Sequence, residues 1–167
     1  MPTTPPPVIR PACPDDLRAL AALENSSFET DRISPRSYSR LLNSPSAEVL
    51  IAETPGGCGA ITGSAVVLFR RNSAIARLYS IAVDAGHAGH GLGRALLEAA
   101  EGAARGRQCA TMRLEAREDN RAAIGLYRAG GYQPAGRAAN YYEDGCAALR
   151  FTKPLNRATG MEAAVND

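Results

Sequence analysis

Two rhythms of apolar positions alternate along this chain, one of period two and one of three to four. Val8 to Pro11 reads as a short first strand. Pro14-Asp15-Asp16 then opens an amphipathic helix, an acidic cap followed by Leu17, Leu20, Ala21 and Leu23 at helical spacing. After a loop from Ser26 to Arg32, Ser34-Pro35 supplies the cap and first-turn proline of a second helix ending near Asn43. Strand-like stretches follow at Glu48 to Glu53, Ala60 to Phe69 and Ala74 to Val83. The linkers Thr54-Pro55-Gly56-Gly57 and Arg70 to Ser73 suit antiparallel hairpins. Leu92, Ala95, Leu96, Ala99 and Ala103 then mark a long helix to about Arg105. Thr111 to Ala116 alternates, with Met112, Leu114 and Ala116 on one face and Arg113 and Glu115 on the other. Asn120 to Ala129 reads as a helix stopped by Gly130-Gly131. Closing strands are expected around Tyr132 and from Cys146 to Lys153.

The order strand, two helices, three strands, helix, strand, helix, two strands mixes hairpins with one crossover. It predicts an α+β or mixed α/β three-layer domain rather than a doubly wound fold. Residues 8–155 are expected to form this single domain, after a disordered lead-in at 1–7 and before a flexible tail at 156–167.

With 167 residues, 45% hydrophobic and 22% charged, one ordinary core can be filled. The net charge of +2 does not point to nucleic acid, and the arginines are scattered from Arg10 to Arg157 with no basic tract. The longest apolar run, Ala65 to Phe69, is too short to cross a bilayer. Met1 to Pro7 lacks the apolar core of a secretory signal. Cys13, Cys58, Cys109 and Cys146 are far apart, and only His87 and His90 could join them, so no metal site is expected. Free thiols fit a cytoplasmic protein.

The richest chemical signal is the run Gly89-His90-Gly91-Leu92-Gly93-Arg94, which leads from a strand into the long helix. Glycines let backbone approach an anion, and the helix start points N–H groups at it. The dinucleotide fingerprint needs its third glycine one residue later, and the P-loop needs Lys-Ser/Thr after Gly93. Ile81-Ala82-Val83-Asp84 and the following His-Ala-Gly-His-Gly-Leu-Gly-Arg-Ala-Leu-Leu resemble the acetyl-CoA signature of the GNAT superfamily of N-acetyltransferases. The likeness spans roughly residues 8 to 155. It implies a GNAT-like fold: a central mixed, mostly antiparallel sheet of six to seven strands with helices on both faces. It also implies that the backbone of Ile81, Ala82 and Val83 pairs with pantetheine. The amides of Ala88, Gly89, His90, Gly91, Leu92, Gly93 and Arg94 would hold the pyrophosphate. Ala88 departs from the family's usual Arg or Gln, and His90 sits where Arg is common.

Acetylating an amine requires a base to deprotonate it and an acid to protonate the departing thiolate. The negative charge developing on the thioester oxygen needs a backbone donor, expected from Ile81 to Val83. Asn120 and Tyr127 are seven residues apart on one helix face. By resemblance to the family's Asn-x-x-Ala-x-x-Leu-Tyr motif, Asn120 would contact pantetheine and Tyr127 would meet the cofactor as the acid, against the alternative of a helix-cap Asn and a core Tyr. Leu114-Glu115-Ala116 resembles the segment that carries the base in bacterial ribosomal-protein-alanine acetyltransferases (the RimI-like group). This makes Glu115 the expected base, against the alternative of a surface ion pair with Arg113 or Arg117. The preceding strand offers no carboxylate, since Arg77, Leu78, Tyr79 and Ser80 occupy it. Tyr141 and Tyr142, within Asn140 to Gly145, resemble the same group's substrate wall, against the equal alternative of a pair covering a core edge, and the loop Phe28 to Arg32 is a second candidate wall. No feature activates Cys109 or Cys146 as a nucleophile, so direct transfer in a ternary complex is expected. Three readings follow: acetylation of a polypeptide amine, α-amine or lysine; acetylation of a free small amine; or a CoA-binding module without catalysis. The oligomeric state has no signal in the sequence.

Overall fold

A computed structural model describes residues 5–55 and 60–155. Residues 1–4 of the expected lead-in, Gly56-Gly57, Cys58 and the expected tail from Asn156 lie outside the described residues. Along the chain run Val8–Pro11 (β1), a 3-10 turn at Pro14–Asp16, Leu17–Ser27 (α1), Pro35–Leu42 (α2) and Ala47–Glu53 (β2). Ile61–Phe69 (β3), Ile75–Val83 (β4), a 3-10 turn at Ala85–His87 and Leu92–Gly106 (α3) follow. Thr111–Arg117 (β5), Arg121–Ala129 (α4), Gln133–Ala138 (β6) and Ala148–Pro154 (β7) complete it.

The seven strands make one sheet in the order β1-β2-β3-β4-β5-β7-β6. Every neighbouring pair is antiparallel except β4 and β5, which the α3 crossover makes parallel. Alternation in β2 and β3 explains the layers. Val49, Ile51 and Val66 join Leu20, Ile33 and Tyr38 of the α1–α2 layer. Leu50, Ala52, Ala65 and Val67 join Leu92, Leu96 and Ala100 under α3. Both faces of these strands are buried, so they read as continuous apolar runs. Local signals set the helix starts: Ser34 Oγ accepts from the Ser37 N–H at 3.1 Å, and Asn120 Oδ1 accepts from the Ala123 N–H at 3.1 Å.

At β5 the coverage changes. Met112, Leu114 and Ala116 are buried in the α3 core, while Arg113 is exposed and Glu115 and Arg117 half-buried on the other face. The helices α1 and α2 pack on β2, β3 and β4, leaving that part of the sheet bare.

Two closing elements differ from the sequence reading. Tyr132 precedes β6 rather than centring it: it is buried, and its hydroxyl donates to Glu101 at 3.0 Å. The strand begins beyond it and carries Pro134 and a bulge at Gly136 (φ 133°), features tolerated at a sheet edge. Cys146 is not in β7; its carbonyl accepts from the N–H groups of Tyr141 (3.2 Å) and Tyr142 (3.1 Å), closing the β6–β7 loop.

Candidate active site

The parallel pair β4–β5 is short. Register holds only from Ile75–Thr111 to Leu78–Leu114, although β4 continues to Val83 and β5 to Arg117. The cause lies in β4 itself. Val67 pairs with Leu78 and Val66 with Ser80, so Tyr79 is an extra residue, a bulge that bends the strand where the two part. A V-shaped opening results, and backbone groups on the β5 side of Tyr79 to Val83 are left without a strand partner.

At the far end of β4 the chain enters the glycine turn. Gly89 (φ 80°) and Gly91 (φ 81°) both occupy left-handed conformations, with nothing within 4 Å of where a Cβ would stand. Backbone conformation, not crowding, requires glycine here, and the turn faces open space. The Ala95 N–H makes the first helical bond, to the Gly91 carbonyl at 3.0 Å, so the amides before it point outward as donors. The Ala88 amide leans on the Ala85 carbonyl at 3.4 Å. The Arg94 side chain turns away, binding Glu98 at 3.0 Å and the Ala129 carbonyl at 3.2 Å. An anion in this turn therefore meets mainly backbone donors. A pyrophosphate followed by an extended amide-bearing arm fits both the turn and the free edge of β4.

Inside the V lies a cleft of about 270 Å³. It brings together Phe28, Ile81, Glu115, Asn120, Tyr127, Tyr141 and Tyr142, drawn from distant parts of the chain. Of the remaining expected cofactor contacts, Ala82 and Val83 end β4, outside the cleft lining, and Ala88 to Arg94 form the glycine turn and the start of α3. Tyr127 is only 5% exposed, packed against Tyr132 and Phe151 with ring centroids at 5.9 and 6.3 Å. Burial pushes its phenol pKa well above the usual value, so it keeps its proton at neutral pH.

Glu115 is paired, but with neither arginine anticipated for it. Its Oε2 accepts from Arg77 Nε at 3.0 Å, and Arg77 Nη2 donates to the Tyr141 hydroxyl at 2.8 Å. Arg117 is engaged elsewhere, bridging Asp119 (3.1 Å) and Asp144 (2.7 Å) and thereby fastening the β6–β7 loop to β5. The two expected walls meet above the cleft, where the Glu143 N–H donates to Asp31 Oδ1 at 3.3 Å.

Arg77, Asp31 and Glu24 were not singled out from the sequence. Arg77 reaches Glu115 only through the parallel register, for which no local pattern exists. Glu24 did carry a signal: it stands four residues after Leu20, on the apolar stripe of α1. It is 2% exposed, accepts from the Ile33 N–H (2.8 Å) and the Tyr38 hydroxyl (2.9 Å), and borders the cleft. Burial raises its pKa.

A fold with one parallel crossover splayed at a bulge, a glycine turn at its mouth and a buried Tyr beside the cleft defines an acyl-CoA-dependent acyltransferase. The model of the acetyltransferase (GNAT) family matches residues 16–132, and the chain belongs to that family. It is an N-acetyltransferase that uses acetyl-CoA. N-alpha-acetyltransferase RimI of Mycobacterium tuberculosis is 33% identical over 135 residues, 76% of this chain and 78% of that protein. Ribosomal protein bS18-alanine N-acetyltransferase of Escherichia coli is 46% identical over 67 residues, 40% of this chain and 45% of that one. The crystal structure of the Escherichia coli ribosomal-protein-S18-alanine N-acetyltransferase aligns with a TM-score of 0.79 at 28% identity, covering 93% of this chain and 98% of that one. No helix among the described residues is long and apolar enough to cross a membrane.

Proposed function

We propose that this enzyme acetylates the α-amine at the N-terminus of a polypeptide, with Glu115 as base and Tyr127 as acid. The observation that carries the reading is the joining of Glu115, Tyr127 and both loop walls around one cleft at the parting of β4 and β5. The kinship with enzymes named for protein α-amines supports it. Acetyl-CoA supplies an acetyl thioester. The amides from Gly89 to Arg94 would hold its pyrophosphate, and the edge of Ile81 to Val83 and Asn120 would hold its pantetheine arm. A backbone N–H of the same edge would face the thioester oxygen as negative charge develops there.

Glu115 takes the ammonium proton of the acceptor, directly or through one water, at its carboxylate. Arg77 holds that carboxylate in place through its 3.0 Å contact. Tyr127 retains its proton because it is buried, and delivers it to the sulfur as the thioester bond breaks; the second proton that the nitrogen sheds as the amide forms then restores the phenol. The amine attacks while both substrates are bound. The free thiols of Cys13, Cys109 and Cys146 agree with a place in the cytoplasm.

The test is product mapping by mass spectrometry, with acetyl-CoA and a peptide bearing both a free α-amine and an internal lysine. Acetylation on the α-amine alone is expected. Acetylation confined to lysine, or turnover of polyamines and amino acids with no peptide acetylated, would overturn the assignment.

A further inference from the structure

Beyond the cleft, the bare sheet face carries a second groove of about 270 Å³, and the two share Arg77. Its charged lining is wholly basic, Arg70, Arg77 and Arg113, over apolar Leu68, Phe69 and Ile75. The register explains why these side chains gather. Arg77 lies beside Arg113, and paired residues point to the same face of a sheet. Arg150 pairs with Glu115 and brings a further guanidinium to that face. Among the described residues, Arg77 is matched by Glu115, whereas Arg70, Arg113 and Arg150 have no ion-pair partner. Unmatched positive charge on an open face, continuous with the acceptor cleft, complements an anionic chain leaving that cleft.

We infer that the acceptor polypeptide, with its α-amine at Glu115, runs out across Arg77 into this groove and is selected for acidic side chains there. The inference rests on the α-amine reading above. Arg113 precedes Glu115 by two residues on one strand, about 7 Å at an ordinary strand rise. An extended acceptor covers that span in two residues, which places the favoured Asp or Glu at about its third and fourth positions. The apolar floor suits a side-chain-bearing peptide better than a sugar-phosphate backbone, and the protein's net charge is only +2.

The experiment compares kcat/KM for three peptides alike except at positions three and four, which carry Asp, Asn or Lys. The Asp peptide is expected to exceed the Asn peptide by about fivefold and the Lys peptide by more, with the spread narrowing as salt rises. Arg113→Glu and, separately, Arg70→Glu should move the preference toward Lys, and Arg113→Glu should reverse it. Arg36→Glu, the same charge change on α2, should preserve the wild-type order. Equal kcat/KM for the three peptides, or an order that survives Arg113→Glu, overturns the inference while leaving α-amine acetylation standing. Turnover of small amines with no peptide acetylated removes both. Inhibition by a short RNA oligomer far below the KM of the acidic peptide would assign the groove to nucleic acid instead, and also overturns it.

Discussion

At Gly91 the backbone takes a left-handed turn (φ 81°) that an L side chain adopts only at a cost, and no neighbour fills the space beside it. Gly91→Ala should therefore cost about 1 kcal/mol, lowering Tm by about 2–4 °C for a chain of this size. It should also weaken acetyl-CoA binding, because the amides of the turn lose their common aim; thermal unfolding and calorimetric titration read the two effects. The turn itself was legible in the sequence, since alternating glycines between a strand and an apolar-periodic helix suit a left-handed backbone. The placing of Tyr127 and Asn120 beside one cleft was legible in part: their spacing gives a shared helix face, while the roles expected of them came from the family motif. Arg77 was not. Its partner Glu115 lies 38 residues away, and the parallel register that joins them is written in no short stretch. Glu24 stood between these cases, a carboxylate on an apolar stripe whose meaning needed the burial of α1 to become visible.

Among the elements, α3 is held to β7 through a buried carboxylate. Glu101 is 3% exposed, accepts from Lys153 Nζ at 2.9 and 3.2 Å and from the Tyr132 hydroxyl at 3.0 Å. Lys153→Met should destabilise by about 2–4 kcal/mol by leaving that charge underpaired, with Glu101→Gln in the same chain restoring much of the loss. Denaturant unfolding of the single and double variants checks this. At the other end, Arg10 ties β1 to the first turn through Asp16 (2.9 Å) and to β2 through Glu53 (2.6 Å). The guanidinium holds the Asp16 pKa at about 2, below its ordinary 3.8. A carboxyl with a lower pKa folded than unfolded contributes stability above the unfolded value, and loses that contribution as pH falls through the folded one. Arg10→Ala should thus cost about 1 kcal/mol at pH 7 after allowance for solvent screening. The difference from wild type should shrink between pH 4 and pH 2 in a pH series of unfolding curves. Strand boundaries in β2 to β5 followed from apolar runs and turn residues. β6 was misplaced because an edge strand with Pro134 and Gly136 lacks both alternation and β-branched residues.

Across the whole molecule, the candidate site comes from a departure from sheet regularity. One parallel crossover in an otherwise antiparallel sheet, bent by the extra residue Tyr79, parts two strands and opens the cleft in which the proposed mechanism seats both substrates. The mixed three-layer architecture was readable from the order of elements, whereas the bulge and the bare face were not. The arginines illustrate the difference: scattered along the chain, they suggest nothing, yet the fold gathers Arg70, Arg77 and Arg113 into one groove. In the proposed mechanism Glu115 and Tyr127 move protons within one cleft while other residues hold acetyl-CoA. The most direct measurement is kcat together with the acetyl-CoA Kd for Glu115→Gln and Tyr127→Phe. Each variant should lose about 10²-fold or more in kcat with Kd changed less than about threefold. Wild-type kcat in either variant, or a loss wholly explained by weaker acetyl-CoA binding, would contradict it.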